Sequence, residues 1–371
     1  MSEDNLRSRL GPELWDAAPG KWNPDTDETL VCCHVRQETH DVKSFLFRTH
    51  KPALFRFRPG QFITLELEID GTTINRCYTI SSPPTRPDTL SITVKRHPGG
   101  KVSNWLHDNL NPGTQIKALG PAGDFSCTLH AAQSYLFLSG GSGVTPLMSM
   151  ARTYYDLGED KDIVFVHSAR TPDDIIFRRE LATMTGGQKH FRTAFVCEKS
   201  GDDSAWKEPT GFLALPRLRS IAPDFGAREI FCCGPQAYMS AVRAMLKEAA
   251  FDMAHYHEES FSFEEHSTPA AAVEVAARAA AVEGPGYKIE FTISGRTIQC
   301  GPDQFILDAA RDAGLRLPFS CSKGLCGTCK SKKRSGEVVM THGGGIRQRE
   351  IDAGMILICC SRPLGDVVIE K

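Results

Sequence analysis

Hydrophobic and polar positions follow three successive patterns along this chain. Between residues 29 and 127, short apolar runs such as 44–47, 62–67 and 90–94 are separated by Pro and Gly turns. Runs of this length bounded by turn residues are typical of antiparallel strands. We predict a small β-barrel here, interrupted by one helix near residues 102–110.

From residue 134 the pattern changes to a repeat of strand, loop and helix. Four apolar runs, at residues 135–138, 163–166, 193–196 and 229–233, are separated by segments with helical character. Such alternation predicts an α/β domain with a parallel sheet and crossover helices. A third pattern, after residue 286, consists of hairpin-like strands with one helix near residues 305–313 and predicts a small α+β domain.

These changes of pattern divide the chain into five segments. Residues 1–27 form a polar arm with three prolines, and we expect its Trp15 and Trp22 to pack against the body of the protein. Residues 264–286 are rich in Ala, with Pro and Gly, and are interpreted as an interdomain linker. The predicted segments are an arm (1–27), a β-barrel (28–128), an α/β domain (129–263), a linker (264–286) and an α+β domain (287–371).

Composition excludes several classes of protein. A length of 371 residues suits two or three domains, and a net charge of −2 argues against a general binder of nucleic acid or anionic membranes. No apolar run approaches the roughly 20 residues of a membrane span, and no signal peptide is evident. We therefore expect a cytoplasmic protein whose 13 cysteines are reduced thiols or metal ligands.

Four cysteines near the C-terminus have the spacing of a metal centre. Cys321, Cys326 and Cys329 follow a C-x4-C-x2-C pattern, and Cys359 comes 30 residues later. This is the way a plant-type ferredoxin holds a [2Fe–2S] cluster on four thiolates. Four thiolates could also hold zinc, but zinc ribbons usually pair two C-x2-C groups and only one is present. We predict an iron–sulfur cluster, with the neighbouring Cys360 outside the ligand set.

A second resemblance is carried by Arg76-Cys-Tyr78-Thr79, which follows the segment at residues 58–62, Arg-Pro-Gly-Gln-Phe. R-x-Y-(S/T) preceded by F-x-P-G-Q-(F/Y) resembles the ferredoxin–NADP reductase superfamily. The resemblance implies that Arg76 binds a flavin phosphate, Tyr78 stacks on the flavin ring and Thr79 bonds the polar edge of that ring. A forked cation suits a phosphate, and an aromatic face suits a planar ring.

The helix near residue 102 begins with a glycine turn, where exposed N–H groups and Ser103 as a capping residue favour an anion. In the resembled family this segment holds the flavin pyrophosphate. The alternative is an ordinary turn with a plain helix cap. The residues carried over are Gly100, Lys101, Val102 and Ser103. A pyrophosphate site here favours FAD over FMN, but the sequence does not decide between the two flavins.

Two further segments match the family's nicotinamide site, one after each of two predicted strands. The first resembles G-x-G-(I/V)-(T/A)-P and the second C-G-P-x-x-(F/Y)-M. The residues concerned are Gly141, Gly143, Thr145 and Pro146 in the first, and Cys233, Gly234 and Pro235 in the second. Glycines before a helix allow a pyrophosphate to reach the helix N-terminus. The resemblance implies that Cys233 lies close to the reacting carbon of the nicotinamide.

The end of the α/β domain resembles the family's H-x-E-x-F segment, with Glu259 and Phe261 at its last two defined positions. The resemblance implies that Glu259 tunes or relays the proton at the flavin, so that Cys233, Glu259 and Tyr78 are the candidate catalytic residues. Arg170, which follows a strand, could bind the 2′-phosphate of NADPH, but it could equally contact the ribose or the adenine. No acidic ribose-binding residue is evident in the sequence. We favour NADH as the electron donor.

Together the segments resemble a flavin and NAD(P)H reductase with a plant-type ferredoxin domain of β-grasp fold at its C-terminus. NAD(P)H supplies two electrons as a hydride, whereas an iron–sulfur cluster passes them on singly. Reductases of quaternary ammonium demethylases and of hybrid cluster proteins have this arrangement. We predict an enzyme that reduces a Rieske-type oxygenase acting on a compound such as glycine betaine. The alternatives are reduction of a hybrid cluster protein and a non-catalytic electron carrier.

Overall fold

A computed structural model describes residues 20–24, 26–202, 206–260, 286–315, 317, 319, 322–325 and 327–371. Of the predicted arm, β1 (Gly20–Lys21) pairs in parallel with β4 (Ala53–Leu54). Trp22 is buried, its ring centroid lies 5.4 Å from that of Phe55, and its indole N–H donates to the Asp27 carbonyl at 2.8 Å. The expected packing of Trp22 is confirmed, whereas Trp15 lies outside the described residues.

The first large sheet is antiparallel and has the strand order β6-β5-β8-β2-β3-β7. Its strands are β2 (Thr29–Thr39), β3 (Val42–Thr49), β5 (Phe62–Ile69), β6 (Thr72–Thr79), β7 (Leu90–Lys95) and β8 (Gln115–Ala122). An antiparallel bridge between Ile80 and Ile92 joins the two ends of the sheet, which closes it into the predicted barrel. Alternate side chains such as Phe45, Phe47 and Ile63 point inward and are fully buried, as a period of two requires.

Helix α1 (Lys101–Asn109) follows β7 and covers one end of the barrel, at the place where the sequence predicts a helix. Its inward face consists of Val102, Leu106 and the buried His107, which hydrogen-bonds the Val94 carbonyl at 2.9 Å. The helix therefore packs onto β7 and fixes the glycine turn that precedes it.

The second large sheet is entirely parallel, with the order β11-β10-β9-β12-β13. Its strands are β9 (Ser134–Gly140), β10 (Asp162–Ala169), β11 (Phe191–Cys197), β12 (Glu229–Gly234) and β13 (Tyr256–Ser260). The crossover helices are α2 (Val144–Leu157), α3 (Arg178–Gly187), α4 (Leu215–Ile221) and α5 (Gln236–Glu248). The central strands are buried on both faces, which explains why they appear in the sequence as continuous apolar runs.

The third sheet is mixed and has the order β15-β14-β20-β16-β18, beside a small β17-β19 pair. Its elements are β14 (Tyr287–Phe291), β15 (Arg296–Cys300), α6 (Ile306–Asp312), β16 (Lys330–Ser335), β17 (Val338–Met340), α7 (Gln348–Asp352), β18 (Met355–Leu357), β19 (Ser361–Pro363) and β20 (Val367–Glu370). Helix α6 buries Ile306, Leu307 and Ala310 against this sheet, so a single core supports the cysteine-rich loop. Apart from Gly286, the predicted linker lies outside the described residues.

Within the described part of the chain, no helix combines the length and the apolar character that crossing a membrane requires.

Candidate flavin, nicotinamide and iron–sulfur sites

The order of the parallel sheet reverses between β9 and β12, and this is where the two predicted nicotinamide segments meet. Open α/β sheets bind ligands in the crevice outside the carboxyl ends of such a pair of strands. Gly141 and Gly143 follow β9 directly, and Cys233 and Gly234 end β12. The structure thus brings together two segments that are about 90 residues apart in the sequence.

Close contact of these two strand ends requires glycine. A Cβ atom on Gly143 would lie 2.3 Å from the Cys233 carbonyl oxygen, and one on Gly234 would lie 2.8 Å from the ring of Tyr238. Thr145 donates its hydroxyl hydrogen bond to the Ser142 carbonyl at 3.1 Å and so stabilises the turn. The result is a cradle of backbone at the start of α2, which fits a pyrophosphate group. Both Pro146, in the first turn of α2, and Pro235, before α5, occupy positions where a missing N–H costs nothing.

Strand β6 carries the three predicted flavin contacts at its C-terminal end. Arg76 and Tyr78 are half-buried and alternate with Cys77, so both project to the same side of the strand, while Thr79 is buried opposite Phe62. Burial raises the pKa of the Tyr78 phenol above its usual range, so the side chain stays neutral. A cation and a neutral aromatic ring side by side fit the phosphate and the ring of a flavin.

The segment from Gly100 to Ser103 lies at the start of α1, but its capping differs from the prediction. Gly100 is the N-cap, without any side-chain cap, and Ser103 lies inside the first turn of the helix. The Ser103 hydroxyl accepts from the His97 N–H at 3.2 Å and donates to the Gly100 carbonyl at 3.3 Å. The expectation that Ser103 caps the helix is therefore wrong, because the hydroxyl closes the preceding turn. Val102 is buried on the inward face of α1, and the Lys101 ammonium lies 3.0 Å from Asp70.

Cys233 and Glu259 are direct neighbours, since β12 and β13 pair in register at these positions. Cys233 is fully buried, and burial raises the pKa of its thiol well above the usual value. Burial likewise raises the pKa of Glu259 to about 8, while Lys323 of the cysteine-rich loop acts in the opposite direction. The Oε2 atom of Glu259 is enclosed and has no hydrogen-bond partner among the residues that the structure describes. An unpaired, protonated carboxyl at this point fits a proton donor that faces a bound ring.

One predicted site residue, Arg170, stands apart from this group. It directly follows β10 with more than half of its side chain exposed, and its guanidinium lies 3.5 Å from Asp41 and 3.2 Å from Asp174. The predicted cation is therefore already paired with two carboxylates. Phe261 lies outside the described residues.

The cysteine-rich loop is seated on the core of the third sheet. Cys329 and Cys359 are both buried there, whereas Cys321 and Cys326 lie outside the described residues. Gly324 and Gly327 both have positive φ angles, +69° and +71°, a backbone conformation that residues with a side chain rarely adopt. The loop therefore turns sharply at both glycines. A tightly curled loop with buried thiols fits a small thiolate-bound cluster.

Another group of ligand-type side chains consists of His130, Glu229 at the start of β12 and His257 of β13. The His130 and His257 rings stack with centroids 3.6 Å apart, and Glu229 accepts hydrogen bonds from His255 at 2.8 Å and His257 at 2.5 Å. Both carboxylate oxygens therefore have donors, and hydrogen bonding accounts for the arrangement of this group.

Comparison with known proteins agrees with this geometry. The sequence matches the oxidoreductase FAD-binding domain over residues 31–127, the oxidoreductase NAD-binding domain over 137–244 and the 2Fe-2S iron-sulfur cluster binding domain over 291–364. It is 49% identical over 359 residues to the glycine betaine monooxygenase reductase subunit of Pseudomonas aeruginosa, covering 94% of this chain and 98% of the relative. The chain belongs to the family of oxygenase reductase subunits.

A second relative agrees with this family, and a solved structure agrees with the fold. The stachydrine N-demethylase reductase subunit of Rhizobium meliloti is 42% identical, covering 92% of this chain and 96% of the relative. The solved structure of phthalate dioxygenase reductase is 24% identical in sequence. The match covers 94% of this chain and all of that chain with a TM-score of 0.57, which supports the fold. As an oxygenase reductase subunit, the protein is an oxidoreductase with FAD, NAD(P)H and [2Fe–2S] domains.

Sequence reasoning missed the residues that join the reductase domains. Arg347, before α7, is buried against the barrel, and Asn75, next to Arg76, contacts the cysteine-rich loop. Arg152 of α2 is likewise buried and donates to the Ser81 carbonyl of the barrel at 2.5 Å. The only local signal was position: Asn75 adjoins a flavin motif, whereas the arginines look like ordinary surface residues in the sequence.

Proposed function

We propose that this protein passes electrons from NADH through FAD and a [2Fe–2S] cluster to a Rieske-type oxygenase that demethylates glycine betaine or a related quaternary ammonium compound. The observation that carries the proposal is 49% identity to a glycine betaine monooxygenase reductase subunit over almost the full length of both chains. Oxidative demethylation of an N-methyl group uses O₂ and two electrons, and it releases formaldehyde and water.

The proposal assigns a role to each group of residues in the chain. Arg76, Tyr78 and Thr79 hold the flavin, with the Gly100–Ser103 segment at its pyrophosphate. The glycine cradle between β9 and β12 holds the nicotinamide nucleotide, with Cys233 close to its reacting carbon. When bound, the flavin accepts a hydride and releases electrons singly to the cluster. Glu259 supplies a protonated carboxyl at the flavin ring.

Four thiolates hold the cluster in this proposal: Cys321, Cys326, Cys329 and Cys359. We also propose the five-segment division of the chain at residues 27, 128, 263 and 286. In this division, hydride transfer takes place between the β-barrel and the α/β domain, and the α+β domain passes on single electrons.

The Arg170 environment supports NADH as the electron donor. A 2′-phosphate on the adenosine ribose would need a free cation near β10. Arg170 is instead paired with Asp41 and Asp174, whose negative charges would also repel the phosphate. We expect a higher kcat/KM for NADH than for NADPH, and a preference for NADPH would contradict this assignment.

The function is tested by reconstitution with purified oxygenases. The protein, NADH and the oxygenase subunit of a glycine betaine monooxygenase should together reduce the Rieske centre and release formaldehyde from glycine betaine. Omitting the reductase is the control for each reaction. Reduction of a hybrid cluster protein, with none of the oxygenase, would instead support the alternative acceptor.

A further inference from the structure

A contact centred on Arg347 joins the cluster domain to the flavin barrel. Only 2% of this side chain is exposed. Its Nε atom lies 3.7 Å from Glu28, and its Nη1 atom lies 3.6 Å from Glu66 and 3.5 Å from Glu350. Its Nη2 atom donates to the Ala118 carbonyl at 3.2 Å. Three of these four partners belong to the barrel and one to the cluster domain.

Burying a guanidinium is costly unless carboxylates and hydrogen bonds replace its water. Here most of the partners come from the opposite domain, so the Arg347 guanidinium has them only when the two domains are docked. Its Nε atom pairs electrostatically with Glu28 but forms no hydrogen bond with any described residue. The neighbouring Arg349 also pairs with Glu28, but 53% of its side chain is exposed, and an exposed pair contributes little. Arg347 is therefore the residue on which the docked arrangement depends most.

The same face of the barrel carries the proposed flavin strand. Glu66 of β5 lies directly opposite Asn75 of β6 in the strand register. The Asn75 amide donates to the Gly327 carbonyl at 3.4 Å, and Gly327 lies between the predicted ligands Cys326 and Cys329. Since Arg76 follows Asn75 directly, one strand contacts both the proposed flavin site and the cluster loop.

A second part of the cluster loop also comes close to the flavin site. Lys323, three residues before Cys326, is near enough to Glu259 to influence its carboxyl. At the other point of contact, a Cβ atom on Gly327 would lie 3.2 Å from the Asn75 amide nitrogen. The contact at Asn75 places the loop against the strand that carries the proposed flavin contacts.

We propose that Arg347 is a positioning residue that holds the cluster domain on the barrel face formed by Glu28, Glu66 and Ala118. The docked arrangement is the one in which the reduced flavin gives one electron to the oxidised cluster, a step in which no atom is transferred. This inference rests on the flavin and cluster sites of the proposed function. It adds that one buried ion-pair group, which belongs to none of the cofactor motifs, sets the rate of electron exchange between flavin and cluster.

The test uses the full-length holoprotein with substitutions on both sides of the contact. Arg347→Gln removes the charge from the cluster domain, Glu66→Gln removes one partner from the barrel, and Arg349→Gln is the matched control at the rim. In anaerobic stopped-flow experiments, flavin reduction by NADH should be unchanged in all three. Cluster reduction by the flavin should slow roughly tenfold in the first two variants and less than roughly twofold in the control.

Cluster reduction in the double variant that combines Arg347→Gln with Glu66→Gln should be no slower than in Arg347→Gln alone, because both changes remove the same interaction. Small-angle X-ray scattering gives a readout independent of turnover. Arg347→Gln should increase the radius of gyration at low salt, as the cluster domain leaves the barrel, while Arg349→Gln should match the wild type. Cluster content, measured as iron and sulfide per chain, normalises the rates.

Unchanged cluster reduction and unchanged scattering in Arg347→Gln would overturn the proposal. If Arg347→Gln lost its cluster but Glu66→Gln retained both cluster and normal transfer, Arg347 would be a folding residue of its own domain, and the proposal would again fail. Failure of the proposed flavin and cluster sites would differ from both results, because the wild type itself would then lack the absorption of flavin and cluster. A different acceptor protein would leave both the absorption and the transfer between the two cofactors intact.

Discussion

At the scale of single residues, Glu259 has the protonation behaviour with the clearest functional consequence. Burial raises the pKa of its carboxyl from 4.5 to about 8, against the opposing effect of Lys323. The other ionisable group facing it is the Cys233 thiol, which burial keeps neutral. Glu259 is therefore protonated at neutral pH and becomes an anion beside the proposed flavin site as the pH rises through about 8.

We expect flavin reduction by NADH to slow as the pH rises through about 8, because a negative charge beside the ring opposes the arrival of a hydride. Glu259→Gln should remove this pH dependence, which stopped-flow measurements on both sides of that pH would detect.

The same carboxyl should make the stability of the protein depend on pH. Between pH 4.5 and about 8 it is protonated in the native state and ionised in the unfolded state, so the wild type should lose stability relative to Glu259→Gln as the pH rises across that range. An identical pH profile in the variant would contradict the assignment.

The adjacent cysteines Cys359 and Cys360 make the cluster assignment testable at the same scale. Both are buried, and the Cys360 Sγ atom lies 2.7 Å from where a Cβ of Gly324 would be, so the Cys360 thiol borders the loop. We expect Cys359→Ser to abolish or strongly alter the EPR signal of the reduced cluster, because serine is a poor substitute for a thiolate ligand.

Cys360→Ser is the matched control and should retain that signal. Flavin reduction by NADH should survive in both variants, since it takes place in other domains. The reverse result, with the signal lost only in Cys360→Ser, would exchange the two assignments.

At the scale of secondary-structure elements, the turn between β9 and α2 depends on Gly143. A methyl group there would overlap the Cys233 carbonyl, so Gly143→Ala must push α2 away from β12. We expect a loss of about 1–3 kcal/mol in stability and a higher KM for NADH, because the pyrophosphate cradle widens. Thermal unfolding and steady-state kinetics measure the two effects.

Gly158, which ends α2, provides the control for this prediction. Its φ is +65° and a Cβ there would meet nothing within 4 Å. Gly158→Ala should cost about 1–2 kcal/mol through left-handed backbone strain while leaving the KM for NADH unchanged. A normal KM in Gly143→Ala would show that the cradle does not bind the nucleotide.

At the scale of the whole molecule, the three sheets divide the proposed reaction into separable parts. The FAD and NAD matches lie within residues 31–244, ahead of the cluster domain match at 291–364. A fragment ending at residue 263 should still reduce ferricyanide with NADH, because that small acceptor can take electrons from the flavin.

The same fragment should fail to reduce an oxygenase, and the full-length protein is the control for both assays. Removing the cluster domain would also expose Glu28 and Glu66, which water can solvate, so we expect little loss of stability in the barrel. Oxygenase reduction by the fragment would show that the cluster domain is dispensable for electron exit.

Much of the architecture was predictable from the pattern of apolar positions. Short alternating runs marked the barrel, and continuous apolar runs marked the parallel sheet, because burial on one face or on both leaves different periods in the sequence. The capping of α1 was not predictable, since the Ser103 hydroxyl could bond either the helix N-terminus or the preceding turn. The choice depends on the course of the chain through His97.

The sequence by itself determined the domain order, the strand types and the cofactor motifs, because each of these depends on residues that are close together in the sequence. Only the tertiary structure decided which charges are buried and which domains touch. Arg152 and Arg347 resemble surface residues locally, yet both are buried, because their partners come from positions 81 and 180 and from positions 28, 66 and 118. The burial of a charge depends on partners that folding brings together over long distances in the sequence, and no local pattern records that.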